Sequence, residues 1–255
     1  LGAGLGTRMK SDRPKVLQPL AGRPMIHHVL DAVAPLEPAR QVVVVGPEMA
    51  ESVGAAVAPV ETAVQRERLG TADAVKAARE ALAGFERGTL FVLFGDTPFI
   101  RTETLAAMAE AREAGGAVVV LGFEAQDPTG YGRLVTDEDG ALTRIVEHRD
   151  AGEAERAITL CNSGVMALDA ARAWGLVERI GNDNAKGEYY LTDVVGLARA
   201  DGLACAALRA SEDELMGVDS KVDLAEAEAR WQARRRRRAM AEEGAVLADP
   251  ASVWF

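Results

Sequence analysis

Cysteine and histidine are scarce in this sequence, cations are outnumbered, and long apolar runs are missing. Its 255 residues hold two cysteines and three histidines. Cys161 and Cys205 allow at most one disulfide, and two thiols in a reducing compartment are the simpler reading. His27 and His28 are adjacent, so they face apart on a helix, and His148 stands alone. No zinc spacing and no cysteine–histidine nucleophile arises from these five residues. No stretch reaches the ~18 apolar residues of a membrane span, and no signal-peptide pattern is visible. These absences predict a cytoplasmic protein with no membrane partner. Lysine and arginine number 29 against 39 acids, a formal charge of −10. That balance argues against sequence-independent nucleic-acid binding, although a few local cations can still dominate a small cleft. The phosphate loop Gly-x-x-x-x-Gly-Lys-Ser/Thr is absent too, as is the dinucleotide fingerprint Gly-x-Gly-x-x-Gly.

What is present starts at the first residue. Leu1-Gly2-Ala3-Gly4-Leu5-Gly6-Thr7-Arg8-Met9 puts three glycines in five positions, and Pro14-Lys15 follows. Glycine lets a backbone turn tightly and approach a ligand closely. Exposed N–H groups in such a turn can cradle phosphate oxygens. Arg8 can fork onto a phosphate, while Lys15 adds a point charge. On the glycines alone, an ordinary turn beside a surface arginine fits as well. Residue 1 also falls where the strand before such a cradle should end, which leads to the expectation of an earlier natural start.

Apolar strand-like runs alternate with helical patterns through the first half. Gln41–Gly46, Thr89–Gly95 and Gly116–Phe123 are continuous apolar runs. Met25–Val33, Glu48–Ala58, Thr71–Ala83 and Thr102–Ala114 carry helical patterns between them. Such alternation predicts an α/β fold, Rossmann-like, with a mostly parallel mixed sheet covered on both faces. Ligands of such sheets bind beyond the carboxyl ends of the strands. Further on, Tyr131–Thr136, Leu142–His148 and Ser163–Leu168 read as antiparallel strands forming a second wall. Leu191–Ala200 reads as a helix and Leu203–Arg209 as a last strand. From Val222 to about Glu243 runs one long Ala/Glu/Arg-rich helix containing Arg234–Arg238, read as a solvated face. The expected division is a domain over 1–220, an arm helix over 221–243 and a tail over 244–255.

Polar groups stand at several strand ends. Gln65 follows a strand-like run and precedes Gly70-Thr71. A side-chain amide donates and accepts, which suits the edge of a pyrimidine base. Gly70 permits close approach, and Thr71 is a good helix N-cap. A plain polar loop with a cap is the alternative. Phe94-Gly95-Asp96 ends a buried strand, where an acid is costly unless paired or bound to a cation. Mg²⁺ takes one or two carboxylates with phosphate oxygens and water, so Asp96 is the first candidate ligand. Asp219 either caps the terminal helix or supplies a second one. Gly132, Glu147 and Asn162 lie near strand ends in Gly130–Arg133, Ile145–His148 and Asn162–Gly164. Acids and amides of this kind bind sugar hydroxyls, although Glu147 reads equally as a surface acid. Asn184–Asp193 is a polar stretch suited to packing over a sugar.

Together the opening pattern, Asp127–Arg133, Ile145–Ala151 and Gly187–Asp193 resemble the bacterial bifunctional N-acetylglucosamine-1-phosphate uridylyltransferase/glucosamine-1-phosphate acetyltransferase family. The resemblance covers the uridylyltransferase domain and nearly the whole chain. It implies that Leu1, Gly2, Ala3 and Gly4 hold the nucleotide and that Arg8 and Lys15 hold phosphates. It implies that Gln65, Gly70 and Thr71 read uracil, with Phe94 and Gly95 in the substrate site. Gly132, Glu147 and Asn162 would bind N-acetylglucosamine, and Asp96 and Asp219 would hold Mg²⁺. The implied substrates are UTP and N-acetylglucosamine 1-phosphate, and the products are UDP-N-acetylglucosamine, a cell-wall precursor, and pyrophosphate. Residues 244–255 resemble the first edge of the left-handed β-helix that carries the acetyltransferase and makes the family trimeric. No hexapeptide repeats occur, so acetyltransferase activity is not expected of these residues. Four positions depart from the family pattern: Gly2 for Ala, Phe94 for Tyr, Asp219 for Asn and Asp73 for His. Another sugar-1-phosphate nucleotidyltransferase, or a non-catalytic nucleotide-sugar-binding module, remains the alternative.

Overall fold

The computed structural model describes residues 1–255. A small antiparallel hairpin, β1 (Pro19–Leu20) and β2 (Arg23–Pro24), leads into α1 (Met25–Val33). Then come β3 (Val42–Val45), α2 (Ala50–Val57), β4 (Glu61–Val64), α3 (Thr71–Ala77), β5 (Thr89–Val92) and α4 (Thr102–Glu113). The chain continues through β6 (Val118–Glu124), β7 (Arg133–Thr136), β8 (Leu142–Val146), α5 (Glu153–Arg156) and β9 (Leu160–Asp169). It closes with α6 (Ala170–Val177), α7 (Asp193–Ala200), β10 (Cys205–Arg209) and α8 (Lys221–Ala241). The fold is α/β, as the alternation predicts. No helix is long and apolar enough to cross a membrane.

β3 pairs with β4 in parallel, and β10 with β6 in parallel. β9 runs antiparallel to β6 along one edge and to β7 and then β5 along the other. The main sheet therefore has the order β10-β6-β9-β7-β8, with β5 beside the second half of β9. Leu1 and Gly2 join this sheet to the β3–β4 pair. Gly2 N–H donates to Val44 C=O at 2.8 Å, and Gly95 N–H donates to Leu1 C=O at 2.9 Å.

Period-two alternation explains why both faces are covered. Val118 and Val120 of β6, with Met166 and Leu168 of β9, pack among residues of α3, α6 and α7. Val119, Leu121, Val165 and Ala167 point the other way and pack with Val29 of α1 and Leu105 and Met108 of α4. All eight sheet residues are buried.

Several expectations are corrected. Ser163–Leu168 does not stand in a separate wall; it belongs to β9, a strand inserted between β5 and β6. Its run Val165–Leu168 is wholly buried, the mark of a strand covered on both faces. Helix α6 follows it at once, capped by Asp169, whose Oδ1 accepts from Ala171 N–H at 3.1 Å. That helix was hidden by an Ala-rich run adjoining the strand. The arginine run is not simply solvated. Arg234 stacks over Phe99 at 4.8 Å and Arg235 over Phe255 at 4.4 Å, and Arg236 donates to Val253 C=O at 2.9 Å. Residues 250–252 form one 3₁₀ turn, and the tail folds back on α8, with Phe255 N–H donating to Gln232 Oε1 at 2.9 Å.

Leu168→Ala should lower unfolding free energy by about 2–5 kcal/mol through lost burial and the cavity left behind. Chemical denaturation at equilibrium measures it.

Candidate functional site

Two short turns bring the cations in. Gly6 has φ +60, and a Cβ there would stand 2.8 Å from Lys15 Cβ, so only glycine lets the chain cross Lys15 this closely. The 3₁₀ turn Thr7–Met9 follows, anchored by buried Met9, and leaves Arg8 exposed. A second 3₁₀ turn, Lys15–Leu17, buries Val16 and aims Lys15 inward. The N–H groups of Ala3, Gly4, Leu5 and Gly6 donate to no protein acceptor. The opening loop thus leaves these donors unused by the protein and free to meet an external acceptor.

Carboxylates arrive from the far end of the chain. Asp96 lies beyond β5, and Val218 N–H donates to its carbonyl at 2.9 Å. Glu214, almost fully buried, accepts from Arg101 N–H at 3.1 Å and from Arg101 Nε at 2.8 Å. These bonds fasten the segment before α8 to the end of β5 and bring Asp219 beside Asp96. Asp219 does not cap α8: Ser220 does, in a capping box with Asp223. The Asp219 side chain is therefore free for ion pairs.

Lys15 Nζ bonds the carboxylate of Asp96 and lies 2.8 Å from Asp219 Oδ1. Arg8 completes the cluster, 3.0 Å from Asp219 Oδ2. Burial acts to lower the Lys15 ammonium, but Asp96 and Asp219 outweigh it and hold it above the ordinary lysine value. Two carboxylates thus meet around one cation. Such a pair, open to phosphate oxygens, suits a divalent ion that keeps water and phosphate ligands. There is no cluster of three or more metal-ligating side chains.

The cleft has two chambers. The first, of about 290 Å³, is lined by Leu1, Gly2, Ala3, Gly4, Lys15, Gln65, Gly70, Thr71, Phe94 and Asp96. The second, of about 230 Å³, is lined by Gly132, Glu147 and Asn162, and again by Thr71 and Phe94. Thr71 and Phe94 are therefore the seam between them. Gly95 lines neither chamber, and a Cβ there would stand 2.9 Å from Val16 Cγ1. Arg8 and Asp219 sit beside the first chamber through Lys15. A separate cavity of about 190 Å³ beside α1 and β3 is mostly apolar and shares only Leu1 with the first chamber.

Asn184–Asp193 links the chambers. At Gly70, with φ +125, a Cβ would meet Tyr189 carbonyl oxygen at 2.5 Å. Tyr189 N–H donates to Leu69 C=O at 2.7 Å, and Ala72 N–H donates to Tyr189 C=O at 2.9 Å. Thr71 is not the N-cap of α3; its Oγ1 accepts from Leu191 N–H at 2.9 Å. Thr192 Oγ1 donates to Glu147 Oε1 at 3.2 Å. Burial raises the Glu147 carboxyl above its usual value, partly offset by Thr192. Asn162 Oδ1 accepts from Gly164 N–H at 2.9 Å, which leaves its NH₂ for the chamber.

The sequence did not reveal Arg68, which lines the first chamber and donates through Nε to Ala3 C=O at 2.8 Å. Its place beside Gln65 in a polar loop was the available signal. Cys161 and Cys205 are buried free thiols, and burial pushes Cys205 up to about 11. His27 and His28 bond carbonyls of Ala56 and Leu20. None of these four lines either chamber.

Residues 1–170 match the family model of the MobA-like NTP transferase domain. The whole chain is 56% identical to the bifunctional protein GlmU of Paramagnetospirillum magneticum, over 56% of that protein. It is 57% identical to that of Rhodospirillum rubrum, over 57% of its length, and 52% identical to that of Novosphingobium aromaticivorans, over 56%. The chain spans a little over half the length of these curated relatives.

Glu147→Gln should raise the thermal midpoint at pH 7 and weaken ligand binding in the second chamber. A carboxyl with a raised folded pKa favours folding most below its unfolded value, near 4.5, and loses that as pH rises through the folded pKa. Melting curves of both proteins from pH 4 to 8 should therefore converge on acidification.

Proposed function

The chain belongs to the MobA-like NTP transferase family, and from that premise we propose that it joins UTP to N-acetylglucosamine 1-phosphate, giving UDP-N-acetylglucosamine and pyrophosphate. The observation that carries this reading is a single cleft with two chambers meeting at Thr71 and Phe94, one lined by Lys15 and Asp96 of the ionic cluster and the other by Glu147 and Asn162. The first chamber takes the nucleotide. Leu1 to Gly4 offer backbone donors to its phosphates, and Gln65 and Gly70-Thr71 meet the uracil. The second takes the sugar through Gly132, Glu147 and Asn162.

An oxygen of the sugar phosphate attacks the α-phosphorus in line. A P–O bond forms there, the α–β bridge breaks, and pyrophosphate leaves with the electron pair. The attacking oxygen is already anionic near neutral pH, so no general base is required. Positioning and charge stabilisation carry such a transfer. Lys15 and Arg8 hold the phosphates and offset the charge that develops. Asp96 and Asp219 are the residues that would hold Mg²⁺. Bound there, it would neutralise phosphate charge and orient the triphosphate. Residues 1–220 form the catalytic domain, 221–243 the arm, and 244–255 the approach to a β-helix of the kind through which the full-length family trimerises.

Release of pyrophosphate from UTP and N-acetylglucosamine 1-phosphate tests the proposal. A panel of other nucleoside triphosphates and sugar phosphates should give slower turnover, and preference for a different pair would overturn the substrate assignment. Asp96→Ala should cut kcat/KM by about 100-fold or more, the scale of losing a principal electrostatic group, while the fold survives by circular dichroism. Arg8→Ala and Lys15→Ala should lose far more rate than thermal stability. Parallel loss of folding would assign them a structural role instead.

A further inference from the structure

Gln65 is only 5% exposed, and its side chain is held from one direction. Nε2 lies 3.1 Å from Gly70 C=O and 2.8 Å from Asp73 Oδ2. Gly70 is the N-cap of α3 and Asp73 lies in its first turn, and Gly70 C=O also accepts from Ala74 N–H at 3.1 Å. Neither a carbonyl nor a carboxylate oxygen has a proton to give. The amide group facing them must therefore be the NH₂, and both its protons are committed. Oε1 has no protein partner. Only Arg133 Nε is both sealed and unpartnered in this protein, so Gln65 Oε1 is not shut inside the core. It is the amide atom free to meet a ligand in the first chamber.

A freely turning amide reads either kind of base edge, because it can offer oxygen or NH₂. One locked in this way can only accept. We propose that Asp73 is a positioning residue that fixes the Gln65 amide as a one-way acceptor, selecting a pyrimidine with an imide N–H and rejecting cytosine. Uracil offers that N–H between two carbonyls. Cytosine has a bare ring nitrogen at the same place, which would face Oε1 lone pair to lone pair. Flipping the amide to suit cytosine would turn its oxygen onto both Gly70 C=O and the Asp73 carboxylate. Asp73 supplies the stronger of these two constraints, since hydrogen bonds to charged groups exceed neutral ones. The role rests on the reading of the first chamber as the nucleotide site.

The test is the ratio of kcat/KM for UTP to that for CTP, with N-acetylglucosamine 1-phosphate fixed. Asp73→Ala should lower that ratio about tenfold, as expected for loss of one charge-assisted hydrogen bond. Asp73→Asn, whose amide oxygen still accepts, should keep the ratio within about threefold of the parent. An unchanged ratio in Asp73→Ala overturns the proposal, and so does an equal loss with both nucleotides, since a merely structural residue weakens the two alike. If Asp73→Ala does not fold, Asp73→Leu, which likewise has no acceptor, is measured against the same criterion. A parent protein that releases no pyrophosphate from UTP would overturn the functional reading itself. Turnover of UTP with an immovable ratio would overturn the role of Asp73 alone.

Discussion

The Lys15 ammonium, gripped by Asp96 and Asp219, is the contact on which the site depends. It joins a turn near the chain's beginning, the end of a central strand and the segment before the last helix. Each carboxylate would be costly there without a cation, and Lys15 would titrate lower if buried alone. Mutual compensation lets all three persist in a partly buried cleft. Arg8 sits outside this trio, mostly exposed, so its ion pair with Asp219 contributes little to folding and stays available to a ligand.

Around that cluster the two chambers are mechanically linked. Tyr189 lies against Gly70, Leu191 is tied to Thr71, and Thr192 reaches Glu147. One polar segment therefore touches the Gly70–Thr71 loop of the first chamber and the acid of the second. A ligand that shifts Thr71 would be felt at Glu147 through two adjacent residues, Leu191 and Thr192, rather than across empty space. The same segment explains why a short polar loop is ordered here: its N–H and C=O groups are partnered by Leu69, Thr71 and Ala72.

Much of the fold was legible because strands covered on both faces read as unbroken apolar runs. Val42–Val45 and Val118–Leu121 are of that kind, and the helices between them follow from apolar spacing. Boundaries were less legible. The pattern over 71–83 suggested one helix, but α3 ends at Ala77. The position of β9 was hidden because strand order is set by contacts between segments distant in sequence, and no local pattern records it. The chemistry of Asp96 was legible from its strand-tip location, since a buried terminus demands a partner for an acid. Which partner was not.

Residue types and local spacing by themselves determined the glycine-rich opening, the strand-tip acids, the polar amides and the α/β alternation. These follow from backbone freedom, desolvation cost and periodicity, all local quantities. Tertiary structure alone decided that Lys15, Asp96 and Asp219 share one charge balance, that Thr71 anchors a loop instead of capping a helix, and that Gln65 is turned in a single sense by Asp73. Each depends on groups brought into direct hydrogen-bond contact, two of the three on groups more than 80 positions apart in sequence. A hydrogen bond or ion pair has no energy until the fold has set its distance and direction.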